Sequence, residues 1–103
     1  MADTKELKAL KRASKRFLEE LRNDPVKLKR FLRQVNGPER RTLPEQERDH
    51  MLTIFRLIDP VESSNNQRTW TDVYEHAGKI YHVHYVEFET IIEEVLPDDI
   101  QQD

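Results

Sequence analysis

The chain has 103 residues, 36% of them hydrophobic and 36% charged, with 17 Lys/Arg against 20 Asp/Glu and no cysteine. That is one small domain with a thin core and an ionic surface. It excludes a disulfide scaffold, a zinc–thiolate site and a thiol nucleophile, and no apolar run approaches the roughly 20 residues a membrane-spanning helix needs.

The small net charge of −3 hides a polarity. Residues 1–48 hold 14 Lys/Arg and 8 Asp/Glu, whereas residues 49–103 hold 3 and 12. The sequence therefore predicts a basic helical half and an acidic C-terminal half. Such halves can attract each other within one chain or in a homodimer, or each can meet a partner of opposite charge.

The first element is an amphipathic helix. Asp3 and Glu6 stand at a capping-box spacing, and Leu7, Leu10, Ser14, Phe17, Leu18 and Leu21 follow one helical face. The opposite side carries Lys5, Lys8, Lys11, Arg12, Lys15 and Arg16. At Asn23-Asp24-Pro25 the chain stops and restarts, with Asp24 as N-cap and Pro25 at the first helical position. Leu28, Phe31, Leu32 and Val35 make the second stripe, ended by Gly37 and Pro38. Residues 38–44 read as a polar connector. A third helix is predicted over about 43–58, with Thr42 before it and Met51, Leu52, Ile54, Phe55 and Ile58 as its core. Residues 62–68 then read as a polar loop.

From Thr69 the period changes from 3.6 to 2. Residues 69–76 and 79–86 are rich in β-branched and aromatic side chains, with Ala77-Gly78 where a two-residue hairpin turn belongs. The simple register sets His76 against Lys79 and Trp70 against Tyr85. One face then carries Trp70, Tyr74, Tyr81, Val83 and Tyr85, the natural lid for the helices. The other carries Thr71, Val73, Glu75, Ile80, His82, His84 and Val86. Phe88, Ile91, Ile92, Val95 and Leu96 fit a helical face, and alternation over 91–95 also fits a third strand; the helix has the better match. The predicted fold is thus α+β: about three N-terminal helices, then an antiparallel β-hairpin, then a C-terminal helix or third strand, in two layers. Residues 1–97 form the domain, and 98–103 an acidic flexible tail.

Few residues suggest chemistry. His82 and His84 share a strand face with Glu75 diagonally opposite, a metal-ligand set in type, but no third ligand is fixed by spacing; no metal is assigned. No serine sits in a glycine-flanked elbow and no loop could cradle phosphate. Neither an enzyme nor a cofactor is expected. The leading expectation is a small cytoplasmic protein-binding module (an adaptor, inhibitor or regulator), with Glu87, Glu89, Glu93 and Glu94 as an acidic contact and Trp70 and Arg68 as anchors. The alternative is nucleic-acid binding through Lys8, Lys11, Arg12, Lys15, Arg16, Lys29, Arg30 and Arg33.

Overall fold

A computed structural model describes residues 4–66 and 68–97. The elements in chain order are α1 (Thr4–Asn23), α2 (Pro25–Val35), β1 (Arg40–Thr42), α3 (Glu45–Phe55), β2 (Glu62–Asn66), β3 (Thr69–His76), β4 (Lys79–Val86) and β5 (Glu89–Val95). The five strands form one sheet in the order β1-β5-β4-β3-β2, every pairing antiparallel.

The helical hairpin is built by the local chemistry the sequence announces. Asp24 adopts extended backbone, and its side chain accepts from the amides of Val26 and Lys27 at 3.1 Å each. Two orphan amides of α2 are thereby satisfied. At the other end the amide of Gly37 returns to the Gln34 carbonyl. The expected cap at Asp3 and the tail over 98–103 lie outside the described residues. Ala77 and Gly78 both have positive φ, +52° and +79°, the pattern of a type I′ turn. This turn fixes the register His76↔Lys79 through Trp70↔Tyr85, as the sequence predicts.

The expected architecture needs correction beyond that hairpin. In place of one hairpin followed by a C-terminal helix or third strand there is a five-stranded sheet, with four strands after the last helix and none of residues 89–95 helical. The helix expected over 88–96 is strand β5, because Val83 and His84 of β4 present a pairing edge and Ile92 can then enter the core. The polar loop over 62–68 is largely strand β2, and the connector over 38–44 contains β1. Thr42 is thus a strand residue. The N-cap of α3 is Pro44, with no side-chain cap bond.

The two-layer expectation also changes, because helices cover both faces of the sheet. On one face Leu43, Met51, Phe55 and Ile58 pack against Tyr74, Tyr81, Val83 and Ile92. Phe55 stacks on Tyr74 with ring centroids 4.4 Å apart. On the other face Leu21, Phe31 and Val35 meet Val73 and Ile80. Phe17 closes this second cluster edge-on to Phe31 at 5.2 Å. Leu10 of α1 joins the first cluster and Phe17 the second, so α1 passes the β3–β4 turn and touches both. The aromatic face is therefore the seat of α3, while α1 and α2 dock chiefly behind it.

Candidate functional site

The two ends of the sheet differ. At the end nearest the β3–β4 turn, charges are tied to one another. Successive residues of a strand point to opposite faces, so Glu93 and Glu94 separate, and Arg40 and Arg41 of β1 separate with them. Glu94 lies opposite Arg41 in register and meets it at 2.8 Å, with Lys79 at 3.7 Å. Arg41 also grips Glu47 of α3 through both guanidinium branches. The Glu47 carboxyl is held below its usual range by that hydrogen bond, and the guanidinium is pushed up by Glu47 first and Glu94 second.

On the opposite face Glu93 accepts from Arg40 at 3.2 Å and from His84 Nε2 at 2.9 Å. The His84 bond is the main reason its carboxyl lies below the usual range. With Nε2 donating, a neutral His84 accepts at Nδ1 from the Thr71 hydroxyl, 3.0 Å away. His82 is buried and donates from Nε2 to the Val35 carbonyl at 2.8 Å, which ties the last turn of α2 to the sheet. Burial is the first cause that pulls its pKa below the ordinary imidazole value. Glu75 does not join these histidines; it accepts from the Gly78 amide. Among the described residues no group of three or more His, Cys, Asp or Glu could hold a metal ion.

The far end, where the β2–β3 and β4–β5 turns lie, is open. An 11-residue helix spans about 16 Å, whereas eight strand residues span about 26 Å. Hence α3 cannot cover the full length of β3 and β4. The rungs it leaves bare carry Trp70 opposite Tyr85, 46% and 36% exposed, and beyond them Phe88, wholly exposed. The sequence pattern predicts Trp70 on the face that meets the helices, as the core's largest side chain; the structure places it outside the core. Its indole N–H donates to Asp72 Oδ1 at 2.6 Å, and the Ser63 hydroxyl donates to the same oxygen at 2.6 Å. The ring is thus held in one orientation while much of it faces water.

Between Tyr85 and α3 lies a cleft of about 140 Å³ lined by Leu52, Phe55, Arg56, Tyr74, Tyr85 and Thr90. That is below the roughly 300 Å³ at which small-molecule sites begin. Burial chiefly raises the Tyr85 and Tyr74 hydroxyl pKa values, so both stay neutral donors at ordinary pH. Glu87 holds positive φ, +42°, a strained setting for a residue with a Cβ, and it positions Phe88 at the tip of a two-residue turn. Arg68 stands in the adjacent β2–β3 turn, and Glu89 opens β5.

The structure therefore gathers Trp70, Arg68, Glu87 and Glu89 at one end and assigns Glu93 and Glu94 to internal bonding at the other. Sequence reasoning missed Tyr85 and Phe88 as surface residues. Tyr85 alternates correctly onto the apolar face, and nothing local says that this face is longer than its lid. The basic residues Lys8, Lys11, Arg12, Lys15, Arg16, Lys29, Arg30 and Arg33 are all exposed; Lys11 and Lys15 border Arg56, which also lines this cleft. No protein-family model matches the chain, and comparison with curated proteins and with solved structures finds no significant match.

Proposed function

We propose that this chain is a protein-binding module that docks its partner on the open end of the sheet. One observation carries the reading: three large aromatic side chains, Trp70, Tyr85 and Phe88, meet solvent at the same end of a rigid sheet. Exposed tryptophan and tyrosine held by fixed hydrogen bonds supply contact area at little entropic cost, and such residues dominate interface energetics. The small cleft beside Tyr85 suits one apolar side chain of the partner. Arg68, Glu87 and Glu89 form a rim of mixed charge that steers and orients more than it holds. An adaptor, inhibitor or regulator acts in this way without a catalytic group or cofactor, and the lack of cysteine fits a reducing cytoplasm.

The acidic-contact version of this reading is narrowed. Glu93 and Glu94 are engaged by Arg40 and Arg41, which leaves Glu87 and Glu89 as the carboxylates free to meet a partner. The test is affinity capture with the intact chain and with Trp70→Ala and Phe88→Ser, each checked for an unchanged unfolding midpoint. Capture should fall at least tenfold for Trp70→Ala. Capture by both variants at the level of the intact chain would defeat the reading. Sedimentation of the free protein examines the homodimer, in which a second copy covers the same aromatics; a dimer that Phe88→Ser dissociates would make that copy the partner.

A further inference from the structure

The helical hairpin is the other charged surface, and it is chemically unlike the aromatic end. Residues 4–36 contain eleven Lys/Arg and four Asp/Glu. Two of those four acids are occupied: Asp24 caps α2, and Glu20 pairs with Lys27. At 3.6 residues per turn, Lys8, Lys11, Arg12, Lys15, Arg16 and Arg22 fall within less than half the circumference of α1. Leu10, Phe17 and Leu21, on the other side, enter the two core clusters. Lys29, Arg30 and Arg33 likewise lie opposite Phe31 and Val35, the buried residues of α2. All of these basic side chains are exposed.

We propose that the outward surface of α1 and α2 holds the phosphate backbone of a double-stranded nucleic acid without reading its sequence. Charge repeating every three or four residues along a helix recurs about every 4.5–6 Å, a ladder suited to a regularly charged polymer. A protein partner would need a desolvated aromatic or aliphatic anchor, and among the described residues the one large exposed apolar side chain on this surface is Val26, beside the α1–α2 junction. A lipid surface would need an apolar helix face free to enter the headgroups, and that face of α1 is spent on the core. A single strand would need rings for base stacking, but Phe17 packs on Phe31 beneath the Lys27 ammonium. The remaining option is phosphate contact along a duplex, driven by counterion release. The acids of the later half nearest this surface are Asp59, beside Lys11 and Lys15, and Glu75, beside Arg16.

The experiment is fluorescence anisotropy with a labelled 20-base-pair duplex of arbitrary sequence, titrated with the full chain between 50 and 200 mM salt. A plot of log affinity against log salt should have a slope of about −4, corresponding to four or five phosphates. Lys8→Glu, Lys11→Glu and Lys15→Glu combined should weaken binding roughly 100-fold and flatten the slope by about 3. Lys29→Glu with Arg33→Glu provides a second, independent variant on α2. Trp70→Ala should bind the duplex like the parent, so failure here and failure at the aromatic end are separately visible. The proposal is overturned by no binding at 50 mM salt, by unchanged binding in both charge-reversed variants, or by equal or tighter binding to polyglutamate or phosphatidylserine vesicles.

Discussion

The two ends of the same sheet use the same classes of residue to opposite effect. Near the β3–β4 turn, Glu93 and Glu94 look on paper like an exposed acidic pair, yet each closes on an arginine of β1. At the far end, Trp70 and Tyr85 look like core, yet α3 leaves them 46% and 36% exposed. Burial follows from the length and placement of the covering element, not from residue type. Register follows from the partner strand. A charged residue with a cross-strand counterion becomes structure, and an aromatic with no lid becomes surface.

The largest expected effect lies on the covered half of the aromatic face. Phe55→Ala removes the ring stacked on Tyr74 and should cost about 3–5 kcal/mol in urea unfolding. Trp70→Ala, four residues along the strand from Tyr74, should cost no more than about 1 kcal/mol while weakening partner capture. A comparable stability loss at both positions would erase the distinction between covered and open ends. Next comes Glu94→Lys, which sets a third cation beside Arg41 and Lys79 in a site 7% exposed. It should destabilise by about 3 kcal/mol, whereas Glu89→Lys at the open end should change the unfolding midpoint little.

The effect of pH is smaller and has a definite sign. His82 has a folded pKa below its unfolded value, so the unfolded chain binds more protons as pH falls. Its contribution is complete above about pH 6.5, the ordinary imidazole value, and is lost as pH drops through the depressed folded value. Glu93, also depressed, adds loss in the same direction at lower pH. Unfolding midpoints measured from pH 7.5 to 5 should fall, and His82→Gln should flatten the upper part of that fall. The smallest expected change is a gain. Ala77 occupies a left-handed position in a type I′ turn, so Ala77→Asn should stabilise by roughly 0.5–1 kcal/mol. Glu87→Gly should act similarly at the strained turn of the open end.

Legibility was uneven, and the reasons are local. Asp24-Pro25 carries its cap chemistry in adjacent residues, and Ala77-Gly78 sets a register that propagates over eight rungs. The ESSNN segment of β2 has no apolar residue and no alternation, and all five of its residues are exposed. Only the ladder to β3 makes it a strand. Residues 88–96 fit two periods at once, and the available edge of β4 decided between them. Within the site, Trp70 and Arg68 were visible as anchor types, and Glu87 and Glu89 as charges. Phe88 was absorbed into a helix that does not form.

What the sequence alone determined was local: two amphipathic helices, the second capped by Asp24, their basic outer surfaces, and a hairpin whose turn dictates its pairing. Each rests on interactions between residues a few positions apart. Tertiary structure decided that helices cover both faces, that β1 and β5 lock Glu93 and Glu94, and that the aromatic face outruns its lid. Those outcomes depend on which surfaces meet across tens of residues, where backbone pairing and helix length leave little trace in residue type.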